Sequence, residues 1–315
     1  MRDFHWSHII VLVALLQVAF PHPLSDVHYV SDVSTNLSNS EEHLTARGGT
    51  VFVFAALGDS WASGVTFGFW NPYDDNKDGC MRYKYACSTV VRDHGFEWLP
   101  DGSHAKLEFV ACSGAHIENM MDQMDKTRPK ITVVEVSGNN ADFYPMADAC
   151  IFHAQAKSYG PHFEEDNPLN PKGECWREIN LVGKRVRSDD IKNKIIDNIH
   201  RWRGHPHNMG NSASLYLHGY PWFFAFGEEC EDWTFGIPLR KDNTKLVLGM
   251  RKAFNELINQ MNRNIRQAAE SFNDPKIQYI DINPAFNGHR FCEPGMTLRE
   301  NLNSGAISSA EVVWI

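Results

Sequence analysis

The chain has 315 residues, with 30 Lys and Arg against 39 Asp and Glu and a formal net charge of -9 at pH 7. That length is ample for one large domain with a real hydrophobic core. An acidic balance without a long basic run offers a phosphate backbone no electrostatic footprint, so nucleic acid is excluded as an expected partner.

Ile9 to Phe20 is an apolar run preceded by Arg2 and followed by Pro21 and Pro23. It is too short to cross a bilayer but fits the apolar part of a secretory signal, so residues 1–20 are expected to be a signal peptide, without a stable membrane span. Residues 21–49 read as a polar arm, and Asn36-Leu37-Ser38 is a glycosylation sequon that an exported chain can use at Asn36. The seven cysteines, at 80, 87, 112, 150, 175, 230 and 292, include no C-x-x-C pair. Their wide spacing predicts long-loop disulfides in a secreted, extracellular protein, and the odd count leaves one thiol over.

The run Thr50 to Leu57 is apolar enough for a strand buried on both faces, and Gly58-Asp59-Ser60 breaks it sharply. A hydroxyl at that point sits at the carboxyl edge of a parallel sheet, where open α/β folds keep their crevice. Ser60 is therefore a candidate nucleophile, although a Ser there also serves as a helix cap. The loop that follows carries Asp74-Asp75-Asn76-Lys77-Asp78-Gly79, which lacks the terminal Glu of a calcium loop and reads as solvated. Further strands are expected at Lys106–Ala111, Lys130–Val136, Ser214–His218 and Lys276–Ile282, with helices at Asn119–Asp125, Asp189–Trp202 and Lys245–Ser271. Residues 150–210 are the least readable part outside the second of these helices. His205-Pro206-His207 has no helix to align its rings and no Cys or acidic partner at ligand spacing, so no metal is expected.

Strands alternating with helices predict an α/β domain over residues 50–298, with a tail from 299 to 315. Parallel strands deliver their carboxyl ends to one edge, so Ser60, Gly114, Asn139 and His289 can converge there. Ester hydrolysis needs a nucleophile, a base, oxyanion donors and something to hold the base. Ser60 and His289 would fill the first two roles, and the amides of Ser60, Gly114 and Asn139 the third.

These residues stand in four blocks: Gly58-Asp59-Ser60, Ala111-Cys112-Ser113-Gly114-Ala115, Ser137-Gly138-Asn139-Asn140 and Gly288-His289-Arg290-Phe291-Cys292. In order and spacing the chain resembles the SGNH (GDSL-type) hydrolase superfamily, in particular its secreted fungal and microbial esterase branch, which also shares the Gly219-Tyr220-Pro221-Trp222 segment. The resemblance implies a three-layer α/β/α sandwich with a flavodoxin-like, five-stranded parallel sheet. It implies a serine esterase without cofactor, working as a monomer on a small-molecule or polymer-borne ester, lipid or acylated carbohydrate. The other reading is a catalytically weak carbohydrate-binding module on the same scaffold. Three positions depart from the family pattern: Asn140 stands where an Asp is usual, Ser137 replaces a Gly, and Phe286 stands three residues before His289 where another Asp is usual. The Phe286 backbone carbonyl or Asp281 would then orient the base. The resemblance also implies the disulfides Cys80–Cys112, Cys150–Cys175 and Cys230–Cys292, with Cys87–Cys112 as an alternative for the first. Aromatic residues at Trp61, Phe67, Phe69, Trp70, Trp222, Phe223 and Phe224 would line an acyl or sugar pocket or fill the core.

Overall fold

The computed structural model describes residues 50–65, 72–97, 99–152, 173–208, 213–233 and 245–295. The expected signal peptide, the polar arm with Asn36, the tail from 299 and the aromatics Phe67, Phe69 and Trp70 lie outside them.

The described residues form five strands: β1 (Val51–Gly58), β2 (His104–Phe109), β3 (Ile131–Glu135), β4 (Ser214–His218) and β5 (Ile277–Ile280). The helices are α1 (Cys87–Asp93), α2 (Met120–Met124), α3 (Phe143–Ala147), α4 (Glu174–Arg187), α5 (Asp190–Arg203) and α6 (Leu248–Glu270). All strands are parallel and ordered β2-β1-β3-β4-β5, so every strand delivers its carboxyl end to one edge. β2 begins two residues before the apolar run Lys106–Ala111, because His104 and Ala105 pair in register with Val51 and Phe52.

β1 shows why the sheet is covered on both faces. Its alternate residues part into two clusters: Ala55 and Leu57 join the large core with α2, α4, α5 and α6, while Phe54 and Ala56 pack with Leu107, Phe109 and Ala86. α6 turns Met250, Phe254, Leu257, Ile258, Met261 and Ile265 into that large core at three- and four-residue steps. α5 does the same with Ile191, Ile195, Ile199 and Trp202, starts on Asp190 and ends on His200, Arg201 and Arg203, complementing the helix dipole. α4, in the stretch that reads as irregular in sequence, buries Cys175, Ile179, Val182 and Val186. Its flanking charges obscure that pattern.

The disulfides are Cys80–Cys112, Cys150–Cys175 and Cys230–Cys292, and Cys87 is a free, exposed thiol. The first bonds the loop after β2 to the segment before α1, and the second joins the turn after α3 to the first turn of α4.

The end of β1 is the tightest point of the sheet. Gly58 has φ +144°, and a Cβ there would lie 2.0 Å from the Glu135 carbonyl oxygen and 2.6 Å from the Ala62 Cβ. Only glycine lets β1 turn against β3 at this separation. Its amide donates to Gln123 Oε1 at 2.8 Å, and its carbonyl accepts from Gln123 Nε2 at 2.9 Å, so one side chain from α2 closes both backbone groups. Gly58→Ala is expected to destabilise the domain by more than about 3 kcal/mol, since neither the φ nor the backbone neighbour can yield. Urea unfolding of the variant checks this, and a midpoint equal to that of the parent would refute it.

Candidate active site

Ser60 follows β1 and His289 follows β5, both beyond the carboxyl ends of the strands. Both residues are half-buried. Ser60 lies in a tight turn in which its carbonyl accepts from the Val65 N–H at 3.1 Å and from the Ser63 hydroxyl at 3.1 Å. The contact that joins this turn to the base loop is made by neighbours: the Trp61 ring lies 6.3 Å from the Phe286 ring and 6.2 Å from the Phe223 ring. The Ser60 hydroxyl and the His289 imidazole thus stand on the two loops that this aromatic contact joins.

The oxyanion candidates come together at the same edge. Gly114, at φ +82°, turns the chain after β2, and Asn139 Nδ2 donates to the Ala115 carbonyl at 2.9 Å, so the second and third blocks touch. One amide hydrogen of Asn139 is left for another acceptor. Neither the Ser60 nor the Gly114 backbone N–H has an acceptor among the described residues. Asn140 Oδ1 accepts from the Ile117 N–H at 2.9 Å and its amide reaches Glu118, so it braces the two loops instead of carrying a charge. Ser137, where the family pattern has glycine, is buried at φ +146° with its hydroxyl on the Met261 sulfur at 3.0 Å. That is backbone strain held by packing, of the kind that collects at working sites.

The residues named as orienting the base lie as follows. The Phe286 carbonyl accepts from the His289 backbone N–H at 3.0 Å, closing a turn. Asp281 accepts from the Asn283 N–H at 3.1 Å and pairs with Arg266 at 3.4 Å. A carboxylate that the motifs do not bring forward, Glu293, accepts from the N–H groups on either side of His289, Gly288 at 2.9 Å and Arg290 at 3.3 Å. The Cys230–Cys292 disulfide and the backbone bonds from Ala225 to Phe291 and from Phe291 to Phe223 fix the same loop. Of the aromatics, Phe224 is core, stacked edge-on with Phe254, whereas Trp61, Trp222 and Phe223 are half-buried at the core's margin.

Below Ser60 lies a pair of carboxyls: Asp59, which the sequence places as an organiser of the nucleophile turn, and Glu135, which sequence reading missed. Asp59 is 3% exposed and Glu135 1% exposed. Asp59 Oδ1 accepts from the Trp61 N–H at 3.0 Å, and Oδ2 from the Tyr220 hydroxyl at 3.0 Å. Burial pushes the Asp59 carboxyl up to about 6, against these hydrogen bonds. Burial, and then the charge of Asp59, push Glu135 well above the usual carboxylate range. Both Asp59 oxygens already face donors, whereas Glu135, buried beside that charge, is the carboxyl held furthest toward its protonated form. The only signal in sequence is an acid inside an apolar strand, Val134-Glu135-Val136.

Other polar groups lie away from this edge. Asp125, at the end of α2, joins His205 and His207 in a trio whose ligand atoms lie within 4.8 Å of one another, so the histidines do have an acidic neighbour. His205 Nε2 is 2.9 Å from Asp125, its Nδ1 accepts from the His207 N–H at 3.3 Å, and the Arg128 guanidinium meets His207. The trio is therefore already engaged in hydrogen bonds, with a cation beside it. A cavity of about 410 Å³ lined by Trp202, Asn208, Ala213, Asp274 and Lys276 opens where β4 and β5 begin, at the edge opposite Ser60.

No family model matches the chain. It is 24% identical over 242 residues to Lipase 1 of Streptomyces coelicolor, covering 76% of this chain and 72% of that protein. The extracellular lipase of Streptomyces rimosus superposes with a TM-score of 0.55 at 18% identity, covering 83% of this chain and 92% of that one. The phospholipase A1 of Streptomyces albidoflavus gives a TM-score of 0.54 at 22% identity, covering 76% of this chain and 84% of that one.

These likenesses correct the family and fold expected from the motifs. The architecture is an all-parallel β2-β1-β3-β4-β5 sheet flanked by helices, the α/β fold that the chain shares with the two Streptomyces enzymes. The SGNH (GDSL-type) superfamily with its fungal and microbial esterase branch, the SGNH label on the fold and the GDSL type of esterase are set aside, while the expected five-stranded parallel sheet between helices is present. The physical reason lies in what the blocks encode. Gly-Asp-Ser, Ser-Gly and Ser-Gly-Asn mark where buried parallel strands end and turn, which any site on the carboxyl edge of such a sheet requires. Short blocks, two of them lacking an expected Asp, report position rather than lineage.

The buried pair predicts a pH dependence of stability. The unfolded chain gives up the Glu135 proton near 4.5, while the folded protein keeps it to much higher pH. The unfolded state then binds fewer protons, so this group's contribution to stability is full below about pH 4.5 and is lost as pH rises toward the folded value. Glu135→Gln removes that dependence. Its Tm is expected to fall less steeply than that of the parent between pH 5 and 9, and parallel curves by calorimetry would refute the assignment.

Proposed function

We propose that this chain is a secreted serine esterase that cleaves carboxylic esters through an acyl-enzyme. The observation that carries the reading is the Trp61–Phe286 contact, which sets the Ser60 turn beside the loop of His289. In this reading Ser60 Oγ attacks the ester carbonyl while His289 takes its proton. The oxyanion is met by the Ser60 and Gly114 N–H groups and the second amide hydrogen of Asn139. His289 returns the proton to the departing alcohol, and water then releases the acid by the same steps in reverse. Glu293 and the Phe286 turn hold the loop of the base, and all four groups come from one chain, consistent with a monomer.

Three disulfides fit an oxidising compartment outside the cell. The relatives are named as lipases and a phospholipase A1. With Trp61 and Phe223 at the rim and Phe226 41% exposed beside Trp222, an apolar acyl chain suits this edge better than an acetylated sugar.

The test is hydrolysis of p-nitrophenyl esters from acetate to decanoate, with acetylated xylan in parallel, by wild type and Ser60→Ala. Ser60→Ala is expected to lower kcat at least about a thousandfold. An organophosphate is expected to label the peptide carrying Ser60. Inactivity of the wild type on every ester, or a label elsewhere, would refute the reading and leave a binding module. Preference for the xylan acetyl groups would refute the lipid assignment alone.

A further inference from the structure

Tyr220 sits just after β4, at the same edge as Ser60, and is 8% exposed. Its backbone is clamped by one side chain of α6: its N–H donates to Asn262 Oδ1 at 2.8 Å, and its carbonyl accepts from Asn262 Nδ2 at 2.8 Å. A Cβ on the preceding Gly219 would lie 2.6 Å from Asn262 Oδ1, so the clamp has no slack. The ring is thus carried on two rigid elements, and its hydroxyl is aimed at the space between two other loops. That hydroxyl accepts from the Gly138 N–H at 2.9 Å and donates to Asp59 Oδ2 at 3.0 Å.

Gly138 precedes Asn139, and Asp59 precedes Ser60. One oxygen atom therefore links the residue next to the proposed oxyanion donor with the residue next to the proposed nucleophile. The polarity of the link is determined: a hydroxyl has one proton, the Gly138 amide occupies a lone pair, and so the proton points to Asp59. Among the described residues, the other titratable group acting on this cluster is Glu135, from the strand beneath. Its backbone carbonyl accepts from the Asp59 N–H at 3.1 Å, so Asp59 is held from below by Glu135 and from the side by Tyr220.

We propose that Tyr220 is a positioning residue, whose hydroxyl sets the spacing between Ser60 and Asn139 by bonding Asp59 and Gly138 at once. This rests on the esterase reading above. Transition-state stabilisation depends on donors placed to within a fraction of an ångström, whereas ground-state binding of a small ester does not. The hydroxyl is thus expected to act on kcat and to leave KM nearly untouched.

The experiment measures kcat and KM on p-nitrophenyl butyrate for wild type, Tyr220→Phe, Asn139→Ala and the double variant, well below the lowest Tm of the set. Tyr220→Phe is expected to lower kcat about ten- to a hundredfold, with KM within about twofold. In the double variant its effect shrinks, because the donor it places is gone. A kcat within twofold of wild type, or a loss that multiplies in full with that of Asn139→Ala, would overturn the proposal. Should Tyr220→Phe not fold, Asp59→Asn keeps the shape but presents an N–H to the hydroxyl, and the same kcat-selective loss is expected. Wild-type kcat in Asp59→Asn would overturn the proposal equally. A wild type without Ser60-dependent hydrolysis overturns the esterase reading and this inference with it, whereas an active wild type with an unaffected Tyr220→Phe overturns this inference alone.

Discussion

Everything at the site depends on how closely the ends of β1 and β3 approach. Gly58 is paired with Glu135, and the chain turns there with the Asp59 N–H on the Glu135 carbonyl at 3.1 Å. A parallel strand that stops in the interior leaves backbone donors and acceptors that must be met. Here an amide side chain meets them: Gln123 of α2 closes both groups of Gly58. Asn262 of α6 does the same for Tyr220 after β4. Two helices of the large core thereby fix two strand ends with paired hydrogen bonds.

On that frame the polar groups divide into layers. The outer one, Ser60, Gly114, Asn139 and His289, is half-buried or faces solvent. The inner one, Asp59, Glu135 and Tyr220, is buried and tolerates a carboxyl pair because burial favours the protonated form of Glu135 and because Asp59 is hydrogen-bonded at both oxygens. Uncompensated acids at this depth would be strongly destabilising, so their presence indicates that the geometry above them is worth maintaining.

How much was legible in the sequence follows from which forces are local. Strand β1 and helices α5 and α6 announce themselves through apolar periodicity, since each buries a face whose spacing is set by its own geometry. α4 has the same four-three-four spacing, but charges between Ile179 and Val186 and an unreadable preceding stretch hide it. That the strand ends before Ser60, Gly114, Asn139 and His289 share one edge follows from strand polarity alone. Their family does not, because short turn motifs are dictated by the sheet. Gln123, Asn262, Tyr220 and Glu293 act across 65, 42, 161 and 5 positions, and none of these hydrogen bonds is visible without coordinates.

The Cys230–Cys292 bond has a topological effect as well. It closes a ring of chain 62 residues around that contains the whole of α6 and β5 and the loop of the base. A protease that nicks the backbone once inside this ring releases no fragment: both new ends stay tethered, and His289 stays joined to the body of the domain. The cut would show on a gel only after a thiol had opened the sulfur bridge.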